Sequence, residues 1–155
     1  MRNIALFGLS SALTLMLAAC SSEPTKRYFP PQASLQQLQR LDNGQWQAQI
    51  RMQSYSSGAV TYQNLSLKVQ LQDMEWITIA PPSLIEIGSN NAEIIKIDLF
   101  IPNHIQKTLS ERLALNQSIR YVLNGQVESI DPKRTYTLDY QGRLNPAPGL
   151  NGVFR

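Results

Sequence analysis

Apolar and polar side chains alternate one by one along most of this chain, and this alternation constrains its fold more than any other feature. It is clearest between positions 95 and 101, where Ile95, Ile97, Leu99 and Ile101 alternate with Lys96, Asp98 and Phe100. The pattern recurs at 46–52, 65–71, 77–79, 85–87, 119–127 and 136–144. Because successive side chains of a strand point to opposite faces, each segment is predicted to be a β-strand with one buried face.

The segment before the first of these strands is less regular. The sequence Asp42-Asn43-Gly44 favours a tight turn, since Asn and Gly tolerate positive φ, and it predicts a hairpin that leads into Trp46. Upstream of the turn, Leu35, Leu38 and Leu41 recur every third residue. That spacing also suits one face of a short helix, but the context favours a strand.

Helical periodicity is confined to one place, between Thr108 and Leu115, where Leu109 and Leu113 form a short apolar stripe. Long helices do not alternate with the strands, which argues against a parallel α/β sheet. The sequence therefore predicts an all-β fold. The expected architecture is an immunoglobulin/fibronectin type III-like antiparallel β-sandwich of about seven to eight strands with one short helical connector. A small barrel is the alternative.

The N-terminus has the architecture of a secretory signal. Arg2 is followed by an apolar run that ends at Ala19, which is short for a membrane-spanning helix and passes directly into polar residues. The sequence Leu17-Ala18-Ala19-Cys20 resembles the lipobox of bacterial lipoproteins. The resemblance implies that residues 1–19 are a lipoprotein signal peptide that is cleaved before Cys20. The alternative is an ordinary secretory signal cut after Ala19, which leaves Cys20 as a free thiol.

The lipobox resemblance also implies a lipid modification and a cellular location. It implies a diacylglycerol on the sulfur of Cys20 and an N-acyl chain on its new amino group, with no other cofactor. Two or more acyl chains anchor a protein stably, so the predicted partner is a membrane. Ser21, rather than Asp, follows the cysteine, which implies export to the outer membrane of a Gram-negative bacterium, with the domain facing the periplasm.

Residues 20–33 are predicted to be the lipidated cysteine and a flexible tether. They are polar at first and then limited by Pro30 and Pro31. An extended chain of this kind rises about 3.1 Å per residue. Tyr28 and Phe29 are expected to dock on the domain, with the membrane interface as the alternative.

The domain itself is expected to span residues 34–144. The two prolines and two glycines of residues 145–155 predict an irregular C-terminal tail.

The charged residues exclude one class of partner. The chain has 14 Lys and Arg against 11 Asp and Glu, and only Lys26-Arg27 and Lys133-Arg134 place basic residues side by side. The remaining basic residues after the signal are isolated in the sequence: Arg40, Arg51, Lys68, Lys96, Lys107, Arg112, Arg120, Arg143 and Arg155. Nucleic-acid binding needs a concentrated basic face, so no nucleic-acid partner is predicted.

The residue types needed for catalysis or metal binding are sparse. His104 is the only histidine, and it is interpreted as a surface loop residue, with a metal site formed by His104 and carboxylates as the alternative. Asp73 and Glu75 are the nearest pair of carboxylates and are interpreted as solvated loop residues. The sequence predicts no enzyme, no catalytic or metal-binding residue and no small-molecule substrate.

The order of the predicted strands resembles a known domain family. The strands at 46–52, 65–71 and 95–101 are followed by a short Leu-rich connector, by Tyr121-Val122-Leu123-Asn124-Gly125-Gln126-Val127, and by a last strand that ends at Gly142-Arg143-Leu144. This order is similar to the group 2 late-embryogenesis-abundant (LEA) domain, also called the water-stress and hypersensitive-response domain, and above all to bacterial lipoproteins that carry it. The resemblance covers residues 34–144. It implies a fibronectin-like sandwich, a role in tolerance of desiccation or related stress, and no catalytic residue.

The chain departs from that family at one loop. The plant-type domain usually carries Asn-Pro-Asn after its first long strand, whereas this chain has Gln53-Ser54-Tyr55-Ser56 there. The resemblance therefore implies no function that depends on that loop.

Two functional hypotheses follow. The first is a lipid-anchored, non-enzymatic envelope protein that protects client proteins or the membrane when water is lost. The glutamines at 45, 47, 49 and 53 fit such a polar surface, although they also suit any solvent-facing strand. The second is a periplasmic interaction or assembly module that binds a partner protein by strand addition at an exposed sheet edge.

Overall fold

The computed structural model describes residues 25–155, so the predicted signal peptide, the lipobox residues, Cys20 and Ser21 lie outside the described residues. Within the described part, the chain forms nine strands and one helix. The strands are β1 (Gln32–Arg40), β2 (Trp46–Gln53), β3 (Val60–Leu71), β4 (Trp76–Ile79), β5 (Leu84–Ile87), β6 (Ala92–Leu99), β7 (Ile119–Ser129), β8 (Arg134–Leu144) and β9 (Val153–Phe154). Helix α1 (Asn103–Ala114) connects β6 to β7.

The strands form two antiparallel sheets that pack as a sandwich. Sheet A has the order β6-β2-β1-β9. In sheet B, β3 pairs with β7 on one side, while β4 and β5 share its other side, and β8 follows β7. The inner faces of both sheets contribute to one apolar core. This arrangement confirms the predicted all-β sandwich with its helical connector.

The predicted alternation sets which residues reach the core. In β2, Trp46, Ala48, Ile50 and Met52 are each at most 1% exposed, while the residues between them face outward. β3, β6 and β7 repeat the pattern. Burial of each large apolar side chain contributes about 1.5–3 kcal/mol, so these inward rows supply most of the driving force for the fold.

A β-bulge explains the three-residue spacing of leucines in β1. The pairing of β1 with β2 shifts between Leu35 and Gln37, so the side-chain alternation is interrupted at Gln36. Leu35 and Leu38 are therefore both buried although they are three residues apart. The strand interpretation is confirmed for this segment.

The turn between β1 and β2 forms as the sequence predicts. Gly44 has a φ of +83°, and the side-chain oxygen of Asn43 accepts a hydrogen bond from the Gln45 amide at 3.0 Å. Gln45 thus belongs to the turn. Its assignment to the outward face of the strand is wrong, because β2 begins at Trp46.

The segment before β1 contacts the domain within the predicted tether. The Arg27 amide donates to Ser57 Oγ at 2.8 Å, and the Ser57 amide donates to the Arg27 carbonyl at 2.9 Å. Tyr28 packs against the core, and the Phe29 amide donates to Ser56 Oγ. The chain is therefore attached to the sandwich from Arg27 onward, and β1 begins at residue 32 rather than at the predicted boundary of 34.

The C-terminal tail differs from its prediction. Residues 145–155 are predicted to be irregular, but Val153–Phe154 form β9, which pairs with Leu38 and Gln39 of β1. Both residues of β9 are buried. The prolines and glycines of the tail form a turn that returns the chain to β1. The prediction of an irregular tail, which rests on composition, is therefore wrong for Val153 and Phe154.

Helix α1 is longer than predicted. It begins at Asn103 rather than near Thr108, with Pro102 at its N-cap, a region where proline is compatible with a helix start. Ile105 and Leu109 are its buried residues. His104 consequently lies in the first turn of the helix, and the interpretation of His104 as a loop residue is wrong.

The sandwich has two ends. At one, called the entry end, the N-terminal segment meets the loop 54–59, which in turn forms hydrogen bonds with the loop 88–91. At the other, called the helix end, lie α1 and the loops 72–75 and 115–118. Strand β3 runs from one end to the other over 12 residues, which separates them by roughly 35 Å.

Candidate functional site

The residues with the strongest sequence signal lie in the part of the chain that the structure does not describe. Leu17, Ala18, Ala19, Cys20 and Ser21 remain predictions for that reason. Among residues 25–155, no helix is long and apolar enough to cross a membrane.

The outer face of sheet A carries a cluster of glutamines. Three from β1 and three from β2 pair directly across the two strands, and we call this surface the glutamine face: Gln32, Gln37, Gln39, Gln47, Gln49 and Gln53. The outward position of the three β2 glutamines is predicted by the alternation in the sequence. The outward position of Gln37 and Gln39 depends on the bulge in β1. Over most of these two strands the outer face is thus lined with amide groups, and Arg51 is the charged residue in the outward row of β2.

Hydrogen bonds hold several of these amides in place. Gln37 Nε2 donates to Gln39 Oε1 at 3.1 Å, and Gln47 Nε2 donates to Asp98 Oδ1 at 2.9 Å. The Tyr55 hydroxyl donates to Gln32 Oε1 at 2.9 Å. Each amide has both donors and an acceptor, so a partly used amide still has hydrogen-bonding capacity for another surface.

Two exposed apolar side chains lie at the adjoining edge of sheet A, with Lys96 and Asp98 between them on the same face. β6 is the terminal strand of that sheet, and it pairs with β2 on one side. Ile94 on its outer face is 42% exposed, and Phe100, one residue beyond its end, is 92% exposed. Glu93, Lys96 and Asp98 on the same strand are charged, and such charges disfavour indiscriminate strand pairing.

The structure separates the carboxylates considered for chemistry. Asp73 Oδ2 lies 2.7 Å from Arg120 Nη2, whereas Glu75 Oε1 lies 3.5 Å from His104 Nε2. All four side chains are mostly exposed. Within residues 25–155, no three His, Cys, Asp or Glu side chains are grouped so that they could hold a metal ion.

Sequence reasoning missed a group of three arginines at the helix end. Arg112 from α1, Arg120 from β7 and Arg143 from β8 line one hollow of about 250 Å³ with Gln72 and Ser118. We call Arg112, Arg120 and Arg143 the arginine cluster. In the sequence these residues are isolated, and only the register of the β7–β8 hairpin, which pairs Arg120 with Arg143, brings them together.

Ser118 is the common contact within this cluster. Its carbonyl oxygen accepts from Arg112 Nη1 at 3.2 Å and from Gln72 Nε2 at 3.3 Å. Its hydroxyl oxygen accepts from Arg143 Nη1 at 3.4 Å. Two of the three guanidinium groups are thus fixed around one residue, and the third is fixed by Asp73.

The tyrosine next to the cluster stays neutral. Burial raises the pKa of Tyr121 to about 12, and the nearby Tyr140 reinforces the rise, while a hydrogen bond with the Leu35 backbone opposes it. The two rings stack with centroids 6.1 Å apart. The Tyr121 side chain lies in the core, on the opposite face of β7 from Arg120, so it brings no charge to the arginine cluster.

Comparison with known proteins gives no family for the chain. No protein-family model matches it, and no relative is found among curated proteins. Three solved structures are similar at low identity. A protein from Archaeoglobus fulgidus matches with a TM-score of 0.42 and 9% identity, over 77% of this chain and 97% of that one.

The other two structures were solved in solution. One, described as a candidate late embryogenesis abundant (LEA) protein, matches with a TM-score of 0.48 and 13% identity, over 88% of this chain and 80% of that one. A protein from Arabidopsis thaliana matches with a TM-score of 0.40 and 11% identity, over 84% of this chain and 87% of that one. At these identities and TM-scores the three structures assign neither a family nor a residue role to this chain.

Proposed function

We propose that this chain is a lipid-anchored, non-enzymatic envelope protein whose β-sandwich protects client proteins or the membrane when water is lost. The anchor is Cys20, and the proposed location is the periplasmic side of the outer membrane. The observation that carries the protective role is the glutamine face. The lipobox resemblance carries the location.

The attachment of the N-terminal segment fits a short anchor. Hydrogen bonds join Arg27 to Ser57 at the entry end of the sandwich. The chain between Cys20 and Arg27 is therefore the only stretch available as a tether, and an extended stretch of that length reaches roughly 20 Å. Lipid on Cys20 would thus hold the entry end close to the bilayer.

Replacing Cys20 with alanine is expected to abolish lipid labelling and to block normal maturation, because the alanine has no sulfur to receive diacylglycerol. Incorporation of radiolabelled palmitate and membrane fractionation measure this. The matched control is Ser22→Ala, which should leave labelling unchanged. Equal palmitate incorporation by Cys20→Ala and the unaltered chain would overturn the lipobox assignment.

The chemistry of the glutamine face supports a protective role. Amide side chains donate and accept hydrogen bonds without carrying charge. A surface of this kind offers hydrogen bonds to polar groups that lose water during drying. It does so without the strong pairing that opposite charges form once the dielectric constant falls. The face therefore suits weak, reversible contact with many partners.

Protection is tested by drying or freeze–thawing an unrelated, aggregation-prone enzyme with the chain from Ser21 to Arg155. We expect less aggregation, by light scattering, than with an equal mass of an inert globular protein. The double variant Gln39→Thr/Gln49→Thr removes two amides from the glutamine face while keeping residues that favour strands. It should lose a large part of the protection.

The matched control for that variant lies on the other sheet. Gln126→Thr/Gln141→Thr makes the same chemical change at exposed positions of β7 and β8, away from the glutamine face. It should protect as well as the unaltered chain. Protection no greater than that of the inert protein would overturn the proposal, and equal loss in both double variants would remove the glutamine face as its basis.

The second candidate function is the interaction module, and the two exposed apolar side chains of Ile94 and Phe100 beside the β6 edge favour it. A partner strand added to β6 would cover both side chains. The same drying assay separates the two functions, since it contains no envelope partner. If protection is absent, and an identified envelope protein binds the unaltered chain but not Phe100→Ser, the interaction module replaces the protective role.

A further inference from the structure

We propose that the arginine cluster at the helix end is a binding site for a phosphate group carried by a soluble molecule. This inference is independent of the protective role, but its choice of a soluble source rests on the proposed anchor at Cys20. It starts from Arg112, Arg120 and Arg143, which line one hollow. Arg112 and Arg143 donate to Ser118, and Arg120 donates to Asp73.

The pairing of two of these arginines is costly for the fold. Arg120 and Arg143 are direct partners across β7 and β8, where side chains on the same face lie about 5 Å apart. Like charges at such positions destabilise a sheet. Arg112 adds a third positive charge to the same hollow, and Asp73 is the one carboxylate in contact with the cluster among the described residues. The cluster therefore carries a net positive charge, which favours an anion.

The geometry of the groups fits a tetrahedral oxyanion. A guanidinium has five N–H donors in a planar fork, which matches the oxygens of phosphate. The contacts with Ser118 and Asp73 use one nitrogen of each arginine. The remaining donors of three arginines, with the Gln72 amide beside them, surround a hollow of about 250 Å³. Charge-assisted hydrogen bonds of this kind are the strong ones in proteins.

The hollow also has a second compartment. A neighbouring hollow of about 380 Å³ shares Arg120 and Arg143 and extends along Gln70 and Gln141. A phosphate held by the cluster therefore leaves adjoining space for the rest of a phosphorylated molecule. The Gln70 and Gln141 side chains there supply neutral hydrogen bonds. Asp73, which pairs with Arg120, also lines this second hollow.

The position of the cluster favours a soluble source for the phosphate. It lies at the helix end, whereas the N-terminal segment joins the sandwich at the entry end, roughly 35 Å away along β3. An anchor attached through that segment holds the entry end nearest its own bilayer. The cluster then faces away from the phosphate headgroups of that membrane and toward the surrounding solution.

The experiment titrates the full chain, purified in a mild uncharged detergent, with inorganic phosphate and with pyrophosphate. Isothermal calorimetry at constant ionic strength, with chloride as the comparison anion, separates site binding from general screening. We expect saturable binding of phosphate and no saturable binding of chloride. Arg143→Gln should weaken phosphate binding by about tenfold or more, because it removes a charge-assisted contact.

The matched control is Arg134→Gln, which makes the same change at the opposite end of the same strand. It should change phosphate affinity by less than about twofold, as expected of a surface charge outside the site. Thermal unfolding without phosphate supplies a second readout. Arg143→Gln should be at least as stable as the unaltered chain there, since it relieves the repulsion between paired arginines.

Three results would overturn the inference. The first is no saturable phosphate binding by the unaltered chain. The second is an Arg143→Gln variant that loses stability while it keeps full phosphate affinity, which would make the cluster structural. The third is binding to detergent micelles doped with phosphatidic acid without binding to inorganic phosphate or pyrophosphate, which would assign the site to a lipid headgroup.

Discussion

Replacing Gly125 with alanine is expected to destabilise the sandwich by at least about 3 kcal/mol, the upper part of the range for overpacking a tight site. A Cβ at this position would overlap the Ser66 carbonyl oxygen and would lie 2.7 Å from Leu67 Cδ2. The first contact is with backbone, which cannot rotate away as a side chain can. Either β3 and β7 separate locally, or the strand pairing around Leu67 is lost.

A graded series of glycines makes this prediction specific. At Gly142, a Cβ would meet the ring of Tyr121 at 2.7 Å, so Gly142→Ala should destabilise the chain less than Gly125→Ala because a side chain can shift. At Gly88, the nearest atoms lie at 3.7 Å, so Gly88→Ala should cost less than about 1 kcal/mol. Urea unfolding measures all three. Equal stability of Gly125→Ala and Gly88→Ala would contradict the close approach at Gly125.

The close approach itself arises from a second bulge. The pairing of β3 with β7 shifts between Gln63 and Ser66, and Asn64 has a φ of 51°. Tyr62 and Leu65 are both buried although they are three residues apart. The sequence carries this signal in the same form as in β1, where Leu35 and Leu38 are three apart. A three-residue step inside an alternating pattern therefore marks a bulge in both strands, and at Leu35 the same spacing also suits a helix.

The glutamine face was partly predictable for this reason. Alternation in β2 identifies Gln47, Gln49 and Gln53 as outward residues without any knowledge of the fold. The β1 glutamines need the position of the bulge, since an unbroken strand would place Gln37 and Gln39 on the same face as Leu35, toward the core and opposite to Gln32. Local periodicity thus predicts half of this surface, and the pairing register supplies the rest.

The arginine cluster was not predictable from local pattern at all. Arg112 lies on a helix, while Arg120 and Arg143 lie on two strands whose register depends on the loop between β7 and β8. A shift of one residue in that hairpin would send Arg143 to the opposite face from Arg120. Isolated charges in a β-rich sequence therefore say little about charge on the folded surface.

The short strand β9, in the C-terminal tail, could not be predicted from the sequence pattern. Two residues are too few to display alternation, and the prolines and glycines before them favour an irregular structure. In the fold, the Asn145 and Arg155 backbones exchange hydrogen bonds of 2.8 and 2.7 Å, and the Ala147 amide donates to the Val153 carbonyl at 2.8 Å. The tail thus forms its own turn, which directs Val153 and Phe154 against β1.

Replacing Phe154 with alanine is therefore expected to destabilise the sandwich by about 3–5 kcal/mol, the usual cost of deleting a buried phenylalanine ring. Phe154 is fully buried and stacks on Trp46, with ring centroids 6.5 Å apart. The matched control in the same tail is Leu150→Ala, since Leu150 is 53% exposed. It should change the free energy of unfolding, measured in urea, by less than about 0.5 kcal/mol.

Tryptophan fluorescence of the folded variant tests the same contact independently. Trp46 is 1% exposed, whereas Trp76 is 40% exposed and lies under Lys68 at 4.8 Å. Because Trp76 already contacts water, a red shift of the emission in folded Phe154→Ala would come from Trp46 losing the cover of the ring. We expect that shift in Phe154→Ala and not in Leu150→Ala. A variant with unchanged emission and near-normal stability would show that the tail is not part of the core, and sheet A would then end at β1.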